Sequence, residues 1–104
     1  MFAAGCAAFV SPARADPAPA PERAAQLVRM VRQDCGSCHG MRLTGGLGPA
    51  LTPRALHDKP ADGLAATILH GRNGSAMPPW RPFVTEAEVV WIVEQLRLGF
   101  PDER

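Results

Sequence analysis

The sequence lacks the features that would assign a small protein to several common classes. Its formal net charge over 104 residues is only +1, so there is no electrostatic case for a nucleic-acid partner. Its apolar runs are shorter than the roughly 18 residues of a membrane span, so we expect no stable membrane insertion. It contains no alternating run that predicts a β-strand, and no internal repeat. We therefore predict an all-α protein with long loops.

The chain is also too short for a large hydrophobic core. With 46% apolar residues it suits one compact domain, but a core of this size leaves little stability to spare. We therefore expect a bound staple, metal or cofactor.

The N-terminal residues predict a segment that is removed after export. Residues 1–15, MFAAGCAAFVSPARA, run from an apolar stretch into an A-x-A-like cleavage pattern, which is typical of a secretory signal peptide. No Lys or Arg precedes Arg14, and this departs from the usual basic start. Cleavage after Ala15 removes Cys6 and leaves two cysteines. A lipid-modified Cys6 is the alternative.

A stretch rich in proline and alanine separates this segment from the folded domain. Residues 16–21, DPAPAP, predict an extended tether, because proline prevents a helix until Pro21 can occupy its first position. We expect one domain over residues 22–100 and a short C-terminal tail over 101–104.

Two longer helices are predicted at the ends of this domain. Apolar residues spaced three and four apart predict a helix from Glu22 to Gln33 that delivers Cys35 at its end. Thr85 and Glu88 form a capping box that begins the last helix. The apolar stripe of that last helix consists of Val89, Ile92, Val93 and Leu96.

Two short helices are predicted between them. Thr52 can cap the first of these, with Pro53 in its first position. Asp62 is expected to cap the second, and Gly71 to end it. Residues 71–83 are interrupted by glycine and proline throughout and predict a loop.

The strongest functional pattern is C-x-x-C-H, formed by Cys35, Cys38 and His39. It is the attachment signature of c-type haem, in which each sulfur adds to a vinyl group and the histidine is the proximal iron ligand. One helical turn brings both thioethers and the imidazole to one flat ring. Two alternatives are a thioredoxin-like redox pair and a structural zinc site. A zinc site would need a fourth ligand at close spacing, whereas His57 and His70 are single residues on separate short helices.

The second axial position of such an iron needs its own ligand. Met77 lies in the predicted loop between Gly74 and two prolines, where it has no helix face to fill, and we predict that its thioether ligates the iron. A methionine that fills the core is the alternative, and His70 is the rival ligand.

Together these motifs resemble a small class I cytochrome c over residues 21–100. More narrowly, DCGSCHGMRLTGGLGPALTP and ILHGRNGSAMPPW are similar to the cytochrome c55X family, periplasmic monohaem proteins linked to cytochrome cd1-type nitrite reductase. The resemblance implies an all-α fold wrapped around one covalently bound haem c. It also implies a periplasmic one-electron carrier in denitrification, with redox proteins as partners, and not an enzyme. We expect a monomer.

The resemblance also implies roles for residues outside the attachment motif. The carbonyl of Pro49 would accept the Nδ1 proton of His39, although a plain turn proline is the alternative. Leu51, Leu69 and Phe83 would press on the haem, and each can equally be ordinary core. Trp80 would shield the haem edge beside Met77, and simple cover of the surface is the alternative.

Three other functions remain open from the sequence. One is maturation or insertion of the d1 haem of nitrite reductase. Another is a peroxidase-like enzyme, which would need an iron that Met77 does not ligate. The third is a structural or haem-delivery subunit whose redox activity is incidental. For an electron carrier, Arg42, Arg72 and Arg81 would rim the haem and face an acidic partner, unless they are simply solvated charges.

Overall fold

The computed structural model describes residues 18–101. The predicted signal peptide lies outside the described residues, as do residues 16–17 of the predicted tether and residues 102–104 of the predicted tail. The described helices are α1 (Pro21–Met30), a π-helical turn (Val31–Cys35), α2 (Gly36–His39), α3 (Pro53–Leu56), α4 (Ala61–His70) and α5 (Glu86–Leu98). No strand occurs within residues 18–101, in agreement with the all-α prediction. No helix in this range is long or apolar enough to cross a membrane.

The first helix continues further than its apolar pattern predicts. It begins with Pro21 in its first turn, as expected, but the helical backbone does not end before Cys35. Instead it widens into the π turn, where the N–H of Gly36 reaches the carbonyl of Val31 five residues back, and then runs as α2 to His39. The haem motif therefore lies on helical backbone.

Most of the predicted ends of the two short helices are confirmed by the structure. The Thr52 hydroxyl accepts a hydrogen bond from the Ala55 N–H at 3.3 Å, as expected for the cap of α3. The prediction for Asp62 is wrong, because α4 begins at Ala61 after Pro60 and has no side-chain cap. Asp62 lies in the first turn of α4, where its charge still complements the helix dipole.

The last helix confirms its predicted start and its apolar stripe. The Thr85 hydroxyl accepts from the Glu88 N–H at 3.1 Å, and the Glu88 carboxylate accepts from the Thr85 N–H at 2.9 Å. All four residues of the stripe are buried. They join a hydrophobic core to which every other helical segment except α2 contributes, together with two loop residues. The other buried residues of this core are Leu27, Val31, Leu43, Leu56, Leu69 and Val84.

Two arginines link the first helical segment to the C-terminal part of the chain. Arg23 in α1 forms an ion pair with Glu88 at 2.6 Å and donates to the Phe83 carbonyl at 2.9 Å. Arg32 in the π turn donates to the carbonyls of Phe100 and Pro101 and lies over the Phe100 ring. The chain end is thereby attached to the turn that precedes Cys35.

Candidate haem-binding site

The two cysteines and the histidine of the motif lie on the π turn and α2. Both cysteines are half-buried and unpaired, and Cys35 packs against the hydrophobic core. His39 is the last residue of α2. Helical backbone from Cys35 to His39 keeps the three groups within about one turn, which is the spacing that attachment to a single flat ring requires.

The His39 ring is held through one of its nitrogens. Its Nδ1 lies 2.7 Å from the carbonyl oxygen of Pro49, the contact that the cytochrome resemblance implies. Because a carbonyl only accepts, Nδ1 carries a proton, and in the neutral ring that binds a metal Nε2 keeps its lone pair. Such a bond fixes the ring's orientation and raises its basicity as a metal ligand.

A loop folded back on α2 brings Pro49 to the histidine. The Gly45 N–H donates to the His39 carbonyl at 2.8 Å, and the Gly48 N–H donates to the Cys38 carbonyl at 2.7 Å. Gly48 lies so close to the imidazole that a Cβ there would be 2.6 Å from Cε1 of His39. A side chain at this position would force the ring to move, so Gly48 belongs to the site, a role that the sequence reasoning did not assign to it. The Gly-Pro pair after C-x-x-C-H was the available signal.

Met77 lies half-buried in the loop after α4, and that loop is fixed by backbone bonds. The Arg72 N–H donates to the Met77 carbonyl at 3.3 Å, and the Trp80 N–H donates to the Ile68 carbonyl at 3.0 Å. Gly71 has φ +69°, and a Cβ there would be 2.7 Å from the Met77 carbonyl oxygen. The position of Met77 therefore depends on a glycine that ends α4.

The electrostatics of Cys35 disfavour a redox dithiol. Burial raises the pKa of its thiol to about 11, and the charges of Asp34 and Cys38 act in the same direction. A thiol of this kind stays protonated at neutral pH and is a poor nucleophile for disulfide exchange. The segment before Cys35 is helical and not the strand that a thioredoxin-like site needs. Within residues 18–101, no group of three or more metal-ligating side chains is placed to hold an ion.

The four apolar residues that the resemblance assigns to the haem differ from one another in their burial and surroundings. Leu51 and Trp80 are half-buried and packed against the core. Leu69 belongs to the core itself, at 7% exposure, whereas Phe83 is 63% exposed and lies beside Trp80.

The residues present fit a covalently bound haem. Cys35 and Cys38 are unpaired, the lone pair of His39 Nε2 is free, and the half-buried Met77 offers a soft sulfur ligand. That each of these residues holds the group remains a prediction.

Comparison with known proteins gives a consistent assignment. Residues 22–95 match the family model described as cytochrome C oxidase, cbb3-type, subunit III. A cytochrome c55X of Stutzerimonas stutzeri is 55% identical over 84 residues, covering 81% of this chain and 74% of the relative.

Solved structures agree with the sequence comparison. A c-type cytochrome NirC is 53% identical, with a TM-score of 0.76, covering 78% of this chain and 95% of that one. Dihydro-heme d1 dehydrogenase NirN in complex with DHE is 31% identical, with a TM-score of 0.63, covering 71% of this chain but only 16% of that one. The chain therefore belongs to this family of c-type cytochromes and, within it, to the cytochrome c55X proteins, with the class I fold and covalently bound haem c as its iron-containing cofactor.

Proposed function

We propose that the chain is a periplasmic one-electron carrier that exchanges electrons with a cytochrome cd1-type nitrite reductase. The observation that supports a haem-based electron carrier is the bond between His39 and Pro49, which leaves Nε2 as a fixed iron ligand. The choice of partner is supported by the likeness to the cytochrome c55X proteins. Met77, in its anchored loop, would supply a second ligand to the haem iron. An iron held by both His39 and Met77 would have no place for a substrate.

The bound haem supplies a one-electron change between ferric and ferrous iron. The chain's residues decide how useful that change is. The hydrogen bond that His39 donates to the Pro49 carbonyl restrains its ring, and the backbone bonds around Met77 restrain its loop, so neither ligand would have to rearrange when the charge changes. Packed on the haem, as the resemblance implies, Leu51 would exclude water and so disfavour the more positive ferric form.

The predicted signal peptide over residues 1–15 belongs to this proposal, since attachment of haem c needs export of a chain with reduced cysteines. We also propose the cytochrome domain at 22–100, between the tether at 16–21 and the tail at 101–104, and a monomeric protein.

A role in maturation of the d1 haem is the second candidate. It is supported by the likeness of this chain to part of NirN, a dihydro-heme d1 dehydrogenase. In that role the chain would accept electrons from a dehydrogenase of this kind instead of donating them to nitrite reductase.

Stopped-flow mixing tests the two roles directly. Ferrous protein mixed with purified cytochrome cd1-type nitrite reductase and nitrite is expected to oxidise within the turnover time of the reductase. If it stays ferrous, whereas ferric protein is reduced by dihydro-haem d1 and its dehydrogenase, the second role replaces the first.

The ligand set needs a separate test. Near-infrared absorption of the ferric protein is expected to show the methionine–iron bond, and added cyanide is expected to bind slowly. Rapid cyanide binding without that absorption would instead indicate an open iron and an enzyme.

A further inference from the structure

One residue between α2 and α3 has a backbone conformation that its side chain disfavours. Leu43 has φ +61°, and it is the only residue other than glycine with a positive φ within residues 18–101. A leucine in this left-handed region costs free energy, because its Cβ crowds the following carbonyl oxygen, whereas glycine adopts the same conformation freely. Other contacts of Leu43 therefore have to offset this cost.

Burial of the Leu43 side chain provides that offset. The side chain is 2% exposed and belongs to the hydrophobic core. It is the only buried residue between positions 40 and 50, whereas Met41 is 73% exposed and Leu47 is 95% exposed. The loop of residues 40–48, here called the proximal loop, is therefore anchored in the core at Leu43 alone.

The backbone of Leu43 connects this anchor to the histidine and to its acceptor. The Leu43 N–H donates to the Gly40 carbonyl at 2.8 Å, directly after His39 at the end of α2. The Leu43 carbonyl accepts from the Leu51 N–H at 2.7 Å, two residues after Pro49. Pro49 in turn accepts the hydrogen bond from Nδ1 of His39. Leu43 thus joins the segment that carries the imidazole to the segment that carries the carbonyl.

We infer that Leu43 is a positioning residue for the proximal histidine. Its buried side chain fixes the proximal loop, and its bond to Leu51 keeps the Pro49 carbonyl within hydrogen-bonding distance of His39. The inference rests on the proposed function, in which His39 ligates the haem iron. Without the anchor, the Pro49 carbonyl is free to leave the imidazole, and the imidazole then becomes less basic toward the iron. Gly48 makes room for the ring, whereas Leu43 holds the acceptor in place.

The reduction potential of the haem-loaded protein tests this role, because it depends on the ligands of the folded state and not on the free energy of unfolding. Leu43→Ala removes the anchor. It is expected to shift the ferric–ferrous equilibrium at least about threefold toward ferrous iron, a rise of roughly 30 mV, since a less basic imidazole stabilises ferric iron less. Because the haem is attached covalently, the loosened loop does not release it.

Leu56→Ala is the matched control. Leu56 is also 2% exposed in the hydrophobic core, but it lies on α3, outside the proximal loop. Both alanine variants delete the same buried atoms, so both are expected to lower the stability in urea unfolding. Only Leu43→Ala is expected to change the potential. Leu43→Met keeps the apolar bulk and is expected to retain the wild-type potential.

Nuclear magnetic resonance of the ferrous holoprotein reports the hydrogen bond itself. In Leu43→Ala the Nδ1 proton of His39 is expected to move upfield, because its hydrogen bond lengthens. It is also expected to exchange with solvent at least about tenfold faster than in Leu56→Ala, since the proximal loop opens locally. Leu43→Gly removes the same anchor but relieves the left-handed strain, so it replaces Leu43→Ala if the alanine variant yields too little protein.

Two results would overturn the inference alone. One is a wild-type potential and Nδ1 resonance in Leu43→Ala or Leu43→Gly, and the other is an equal change of both in Leu56→Ala. If the wild-type spectrum shows no imidazole protons shifted by the haem ring, His39 does not ligate the iron, and the proposed ligand set fails together with the inference. Electron exchange with nitrite reductase enters neither measurement, so a wrong partner assignment leaves the role of Leu43 decided.

Discussion

Alanine at Gly48 is expected to displace the proximal histidine while leaving the rest of the fold intact. A Cβ at this position would lie 2.6 Å from Cε1 and 2.7 Å from Nδ1 of His39. The φ of Gly48 is not in the left-handed region, so alanine itself strains nothing in the backbone. The effect is therefore a steric one on the imidazole.

The size of the displacement follows from these distances. Ordinary van der Waals contact begins at 3.4 Å, so the ring must move by about 0.8 Å. If the movement is along the bond to Pro49, the present 2.7 Å becomes about 3.5 Å, which is too long for a hydrogen bond. Loss of that bond and the forced contact together cost about 2–3 kcal/mol of stability.

The holoprotein provides three measurements of this change. Urea unfolding is expected to show the lost stability. The reduction potential is expected to rise, because an imidazole without its acceptor is less basic and stabilises ferric iron less. Cyanide is expected to bind faster, because a tilted imidazole forms a weaker bond to the iron.

Gly63→Ala is the matched control. Gly63 lies in α4 with no atom within 4 Å of an added Cβ, so alanine is expected to stabilise the protein by about 0.5–1 kcal/mol at unchanged potential. A Gly48→Ala holoprotein with wild-type stability, potential and cyanide kinetics would refute the reasoning from the Gly48–His39 contact.

Four further predictions test other parts of the account. Met77→Leu is expected to lower the reduction potential and abolish the near-infrared methionine–iron absorption, whereas Met41→Leu, at an exposed site, leaves both unchanged. Arg23→Gln is expected to cost about 1 kcal/mol in urea unfolding, since it loses a partly exposed ion pair and a bond to the Phe83 carbonyl. The hydrogen bond from Arg23 lowers the pKa of Glu88, so this contribution is complete above the ordinary glutamate pKa of about 4.3 and disappears as the pH falls through the lowered value. The stability difference between wild type and Glu88→Gln is therefore expected to shrink in that acidic range, and a pH-independent difference would contradict it. Chain produced without haem is expected to show little helical circular dichroism, because its short helices share too small a core.

Local signals predicted most of the fold because they depend on neighbouring residues. The Thr85–Glu88 capping box, the Thr52 cap and the glycine end of α4 each involve residues within four positions of one another, and all are confirmed. The Asp62 cap failed because Pro60 already fixes the extended backbone from which α4 begins. Pro60 and Asp62 can each precede the first turn of α4, and the sequence pattern does not show which of them does so.

Long-range contacts were harder to predict. Val31 and Cys35 in the π turn both pack with the hydrophobic core, and an apolar spacing of three and four does not predict a π turn. The contact of Gly48 with the His39 ring and the attachment of Arg32 to the chain end join residues that only the fold brings together. The haem motif itself was readable because its chemistry lies within five consecutive residues.

Mass spectrometry of a tryptic digest tests the central claim most directly. Cleavage after Arg32 and Arg42 releases one peptide, residues 33–42, that contains both motif cysteines. After production with c-type maturation machinery and full denaturation, this peptide is expected to carry the mass of one haem. A peptide of unmodified mass, or one linked only by a disulfide, would contradict covalent attachment at Cys35 and Cys38.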